Sequence, residues 1–402
     1  MKKLLLTLAL SGFVCGAFAQ APDEEKKEGY RFTDHKVLPT NAIKNQYRSG
    51  TCWCYSTCSF LEDEIRRAGG GEIDLAEMWI VRNIYFEKAV KYVRLHGSLN
   101  FAVGGASHDV TNGIRDYGIV PEEVYPGLNY GSELPEFDEI DAVLKGYMDA
   151  VIENAEHTGR KLTTAWQDGL NGILDAYFGV RPEKFTYNGK EYTPQSFAES
   201  LPIKMDDYVD VTSYTHHPFY STFVLEVPDN WAWGKSYNVP LNEMMEIIDY
   251  SIDKGYTVAW GTDVTEKGFS RSLAIGIIPE VDLSGMDGTD AARWGELSPA
   301  ERDKMLYKFD KPGKEKTITQ EMRQTAYDNY ETTDDHGMVI IGTATDQNGN
   351  AYYKVKNSWG VTASPYEGYY YFSRPFVEYK TMSVLVNKNA IPKEIRKKLG
   401  LK

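Results

Sequence analysis

The chain has 402 residues, with 44 Lys and Arg against 58 Asp and Glu for a net charge of −14, 42% hydrophobic residues and only four cysteines. That length and apolar content suit one large domain or two lobes, and they exclude a chain disordered throughout. The cysteine count excludes a disulfide framework, and the acidic balance argues against nucleic acid or an anionic membrane as partner, because phosphate binding needs clustered Lys and Arg.

Lys2 and Lys3 precede an apolar run from Leu4 to Val14, and Ala17 and Ala19 then give the Ala-x-Ala pattern of a signal-peptidase site. The run is too short to span a bilayer as a stable helix. Residues 1–19 are therefore expected to be a removed signal, with export to a periplasmic or extracellular location. Residues 20–45 are polar and read as an extended arm. From Cys52 to Ala68 the pattern suits a helix, stopped by Gly69-Gly70-Gly71. Apolar residues at 75, 79, 80, 84, 85 and 89 place a second helix over Leu75 to Leu95. A third is expected from Ala106 to Tyr117, ended by Gly118 and Pro121. Two more fall within 139–178, joined near Thr158-Gly159. Then the character changes. A helix at 241–254 leads into a strand from Tyr256 to Gly261. Further strands are read at 338–345, 351–359, 369–372 and 382–386, with Asp346 to Asn350 as a hairpin turn. The class is α+β. Residues 46–235 form a mainly helical lobe with an insertion, and residues 236–402 form a β-rich, antiparallel lobe with a basic C-terminal tail. A cleft between the lobes is expected.

Loss of Cys15 with the signal leaves Cys52, Cys54 and Cys58, an odd number for an exported protein. Cys54 and Cys58 are one helical turn apart, which is poor disulfide geometry. The Cys-x-Cys-x3-Cys spacing does not match the usual zinc patterns, so neither metal nor cofactor is expected. What remains is a reactive thiol. Cys52 opens a helix, where unpaired N–H groups and the positive end of the macrodipole favour thiolate, so its pKa is expected to fall. Such a nucleophile needs a base and a group to orient that base. Of the seven histidines, only His336 stands at the entry to a strong strand. The next strand ends at Asn357-Ser358-Trp359-Gly360, and the hairpin can bring Asn357 back beside His336. Asn357 can then accept from one ring nitrogen while the other faces the thiol, with Trp359 covering the bond.

Gln46-x5-Cys52-Trp53, Asp335-His336-Gly337 and Asn357-Ser358-Trp359-Gly360, in that order, resemble a papain-like cysteine peptidase. The resemblance implies a two-lobed fold with peptide substrates. Cys52 would attack a peptide carbonyl, His336 would protonate the leaving amine and then activate water, and Asn357 would hold His336. The Gln46 side chain and the Cys52 N–H would form an oxyanion hole, each donor contributing roughly 2.7–4 kcal/mol in comparable sites. Trp53 and Trp359 would support these groups by packing.

Three departures narrow the resemblance. Ser49 stands where papain relatives carry a disulfide-forming Cys. The interval from Cys52 to His336 is roughly twice the ~130–150 residues of that signature. The short stretch between Ala19 and Gln46 leaves no room for a long inhibitory propeptide. All three are similar to the bleomycin hydrolase and aminopeptidase C branch, as are Ile73 to Met78, Gly104-Gly105-Ala106, Ile114 to Pro121 and residues 255–263. The resemblance covers most of 39–395 and is diffuse between about 135 and 235. It implies that Gly104 and Gly105 pair with substrate backbone, that the enzyme is an aminopeptidase whose terminal carboxylate binds the substrate amine, and that it assembles as a homo-hexamer. Residues 391–402 depart from the branch's usual tail and are basic. They are expected to form a solvated terminal helix, the alternative being a tail that docks on an acidic surface and reaches the cleft. Three other readings stay open: an endopeptidase with an open cleft, a non-enzymatic peptide-binding protein, and a thiol oxidoreductase using Cys52-Trp53-Cys54.

Overall fold

The structure is a computed structural model that describes residues 29–158, 161–281, 294 and 296–401. The expected signal, residues 1–19, lies outside the described residues. No described helix is long and apolar enough to cross a membrane.

The cysteine segment forms helix α1 (Cys52–Arg67), buried from Trp53 to Ile65. The glycine run closes it. Gly69 and Gly71 take φ of +87° and +80°, and the N–H groups of Gly69 and Gly70 donate to the carbonyls of Arg66 and Ile65. Glycine enters this left-handed region without a Cβ penalty. Helices α2 (Glu77–Arg94) and α3 (Ser107–Tyr117) pack on α1, while α4 (Asp138–Thr158) and α5 (Ala165–Phe178) pack on α2. The first four lie within two residues or so of the expected bounds, while α5 begins at Ala165, later than the expected join near Thr158-Gly159. A hairpin, β2 (Phe185–Tyr187) and β3 (Lys190–Tyr192), and helix α6 (Pro194–Ser200) follow in the insertion.

One large sheet runs behind α1. Its order is β5 (Thr222–Val224), β6 (Lys235–Asn238), β4 (Tyr208–Thr212), β13 (Thr381–Asn387), β7 (Val258–Thr262), β10 (His336–Asp346), β11 (Ala351–Lys356), β12 (Tyr369–Ser373), β9 (Ile275–Gly276) and β8 (Phe269–Ser270). β10 is the spine. Its apolar run is buried on both faces, as a central strand requires. Val339 and Ile341 join Ala259 and Leu385 on the α1 side. Met338 and Ile340 join Val258, Trp260, Val384 and Val386 on the other side, beneath helices α7 (Leu241–Lys254), α10 (Arg374–Lys380) and α11 (Lys393–Lys398). Helices α8 (Pro299–Leu306) and α9 (Gln320–Asp328) lie in the long connection before β10.

The structure corrects four expectations. The polar arm contains β1 (Phe32–Val37), which pairs antiparallel with β10. The lobe boundary at 235/236 does not hold: β4, β5 and β6 belong to the large sheet, with Val211 paired to Val384. The sheet is not wholly antiparallel, since β6 runs parallel to β4 and β9 to β12. The terminal helix is not solvated. Ile395 and Leu399 are buried with Ile391 against the α7 side of the sheet, and Lys398 Nζ lies 2.5 Å from Glu243 Oε1. Burial of the Ile and Leu faces of so short a helix outweighs the solvation of its Lys and Arg, which keep their heads at the surface.

Candidate active site

Cys52 is the first residue of α1, so its own N–H and that of Trp53 have no acceptor within the helix, while the Cys54 N–H already reaches Thr51 O at 2.9 Å. The Thr51 hydroxyl does not cap them; it bonds to Ser49 Oγ at 2.5 Å. The helix start is thus open toward the cleft. β10 begins at His336 and crosses that same turn. A Cβ on Gly337 would lie 2.6 Å from Ser56 Oγ and 3.2 Å from Cys52 O, so only glycine lets the strand come this close to the helix. Cys52 and His336 line one cleft.

β11 stops at Lys356, sooner than expected, and releases Asn357 to Gly360 beside His336. His336 Nε2 and Asn357 Oδ1 are 2.8 Å apart, and Oδ1 also accepts the Ser358 N–H at 2.7 Å. The second bond fixes Oδ1 as an acceptor. His336 Nε2 therefore carries the proton, and Nδ1 is the ring nitrogen left for Cys52. Trp359 covers this bond, its ring centroid 4.6 Å from that of His336, and the Arg271 guanidinium lies 4.4 Å over Trp359. Gln46 is buried nearby. Its N–H donates to Ser358 O at 2.8 Å, and its Oε1 accepts the Ser358 hydroxyl at 2.6 Å, which leaves the side-chain nitrogen as the free end of the amide.

The electrostatics run against one expectation. Burial pushes the Cys52 thiol up, to about 12, and the Asp334 and Asp229 carboxylates push it the same way. A hydrogen bond from the Gly337 backbone opposes them without prevailing. Burial also drives His336 down, to about 4; the Asn357 bond opposes this and the Arg271 cation adds to it. Each group alone resists charging in so dry a cleft. Moving the thiol proton to Nδ1 creates both charges together, and their mutual attraction offsets the two separate penalties.

Gly105 lines the cleft as expected, and a Cβ there would come within 2.9 Å of the Trp53 ring. Trp53 is anchored by its Nε1–H to Val103 O at 3.1 Å. Gly104 does not line the cleft. It backs onto the Asp229 carboxylate, 2.0 Å from where its Cβ would be, and its carbonyl accepts from buried Lys88. Cys54 and Cys58 are buried free thiols, with Sγ atoms 3.9 Å apart and Cys54 bonded to Glu77 O. Neither lines the cleft with Cys52, which removes the geometric basis for thiol exchange.

Sequence reasoning missed the far wall. Leu225, Val227, Asp229, Asn230 and, from β6, Ser236 line it, and Asp210 and Asp334 add carboxylates. Asp334 was legible as a second acid directly before Asp335-His336. Nothing local marked Asp210 or Asp229.

A helix-start cysteine facing an amide-braced imidazole across two lobes is the arrangement of a papain-like cysteine peptidase. The chain belongs to the Peptidase C1-like family, whose pattern matches residues 14–279 and 288–401. It is 22% identical to Aminopeptidase C of Lactobacillus delbrueckii subsp. lactis, over 95% of this chain and 87% of that protein. Aminopeptidase C of Lactobacillus helveticus is also 22% identical, over 90% of this chain and 82% of that one. The crystal structure of pepw from Lactobacillus rhamnosis shares the fold, with a TM-score of 0.65 at 18% identity over 92% of this chain and 84% of that one.

Proposed function

We propose that the protein is an exported aminopeptidase that releases residues from peptide N-termini through an acyl-enzyme. Cys52 Sγ passes its proton to His336 Nδ1 and attacks the scissile carbonyl. The oxyanion takes hydrogen bonds from the Cys52 N–H and the Gln46 side-chain amide. His336 gives its proton to the leaving amine as the C–N bond breaks, leaving a thioester on Cys52. Water, losing a proton to His336, then hydrolyses the thioester and restores the thiol. Asn357 keeps the imidazole turned toward Cys52 throughout, and Gly105 lies against the substrate backbone.

The observation that carries this reading is the His336–Asn357 bond beside Cys52 at the α1 start. The exopeptidase choice is supported by the relatives named as aminopeptidases. One observation favours an endopeptidase instead: residues 391–401 pack on the outer core and line no part of the cleft. Cleavage of a peptide ladder with free and acetylated N-termini separates the two. Stepwise release from free ends only is expected, and internal cuts in acetylated peptides would reverse the choice. Export is supported by Lys2, Lys3, the apolar run and the Ala17-x-Ala19 pattern. N-terminal sequencing of the mature protein is expected to begin at Gln20, and a retained Met1 would overturn it.

A further inference from the structure

The cleft that holds Cys52 and His336 is rich in carboxylates. Asp210, Asp229, Asp334 and Asp335 line it, and no Lys or Arg does. Three of the four have donors. Asp210 accepts the hydroxyls of Ser236 and Ser383, the latter at 3.0 Å. Asp229 accepts from Asn100 at 3.2 Å. Asp335 accepts the Thr265 N–H at 3.2 Å and the Thr333 hydroxyl at 2.9 Å. Asp334 is different. No described residue donates to it or pairs with it, and the groups that act on it are the other three carboxylates. Burial and those charges push it up to about 7.

Carboxylates crowded together away from water are costly unless a cation joins them. Lys88, which holds the carbonyls of Ala102 and Gly104, acts on Asp229, and His108 acts on Asp210. No cation among the described residues acts on Asp334, so a charge to join it arrives with the ligand. A peptide brings a cation within one or two residues of a scissile carbonyl at Cys52 as a Lys or Arg side chain or as its α-ammonium, and only the α-ammonium is common to free-ended peptides of every sequence.

We propose that Asp334, with Asp229 beside it, forms a subsite for the substrate's free α-ammonium group, and that this contact sets where the chain is cut. The inference deepens the aminopeptidase reading and rests on Cys52 as the nucleophile. Asp334 supplies an acceptor with no competing donor. Asp229, backed on Gly104, adds charge from the facing lobe. The cleft would then count residues from a fixed ammonium, with a side-chain carboxylate as its anchor.

The test compares Asp334→Asn and Asp229→Asn with wild type on three fluorogenic substrates: a free-amine aminoacyl amide, its N-acetyl counterpart, and an N-acetyl dipeptide amide with Lys next to the scissile bond. Loss of one charge-assisted bond predicts a fall of about 10- to 150-fold in kcat/KM on the free amine, mostly through KM. Hydrolysis of the acetylated amide is expected to hold or rise. Equal losses on all three substrates, or no loss on the free amine, would overturn the subsite. A loss confined to the lysyl substrate would assign the carboxylates to a side-chain ammonium and overturn the α-amino assignment. No hydrolysis by wild type, with Cys52 unreactive, would instead overturn the peptidase reading beneath it and the subsite with it. Should Asp334→Asn fail to fold, Asp334→Ser removes the same charge with less bulk.

Discussion

Asn357→Ala isolates the group that orients His336. Asn357 Oδ1 receives the His336 ring N–H at 2.8 Å and the Ser358 N–H at 2.7 Å, both within a buried pocket under Trp359. Alanine leaves these donors without an acceptor, at about 1–3 kcal/mol for each buried group. One such loss, applied to the transition state through a misdirected imidazole, corresponds to a fall of about 5- to 150-fold in kcat/KM. The fall belongs in kcat, because Asn357 does not line the cleft where substrate binds. The assay is steady-state kinetics on an aminoacyl fluorogenic amide, normalised by active-site titration. Asn357→Asp is the companion. It keeps the acceptor and adds a negative charge, which raises an imidazole that burial holds near 4. Both limbs of its pH–rate profile are expected to move to higher pH. A wild-type kcat for Asn357→Ala would refute the orienting role. A loss as complete as that of His336→Ala would show that Asn357 does more than orient.

Asp334→Asn should speed alkylation of Cys52 by iodoacetamide above pH 7 and leave it unchanged below about pH 6; Asp334 ionises near 7 and its charge then holds the thiol up, so a pH-independent difference would contradict the assignment. Gly105→Ala should raise KM by about 5- to 150-fold, since its Cβ meets the anchored Trp53 ring at 2.9 Å and forces the backbone outward; an unchanged KM would remove Gly105 from the substrate contact. Ile395→Ala should lower stability by about 2–5 kcal/mol in denaturant titration, because this side chain is 3% exposed in the outer core. Deleting residues 397–402 should leave the ratio of free-amine to acetylated hydrolysis unchanged, and a changed ratio would bring the tail back to the cleft.

The elements that sequence described well are those whose signal is local. The glycine run ends α1, the helical period marks α2, and the apolar run with its hairpin turn marks β10 and β11. The pairing of Cys52 with His336 was also legible, because the motifs sit at element ends that the chain must bring together. What was hidden depends on contacts distant in sequence. Tyr208 to Thr212 carries β-branched residues, yet its partner Val384 lies far down the chain, so its place in the large sheet could not be read. The basic tail looked solvated because five of its positions are Lys or Arg; only the sheet beneath it shows that Ile395 and Leu399 have a surface to bury against. The direction of the Cys52 shift was misread for the same reason. The helix start was visible, while the burial and the two carboxylates that outweigh it came from residues remote in the chain.

The central claim is that Cys52 is the nucleophile activated by His336. Reaction of the intact protein with an epoxysuccinyl inhibitor, followed by peptide mapping beside an activity assay, tests it most directly. One adduct is expected, on the Cys52 peptide at Sγ, with loss of hydrolysis in proportion to labelling and no label in a His336→Ala variant over the same time. Hydrolysis that survives full labelling, or that persists in Cys52→Ala, would contradict it.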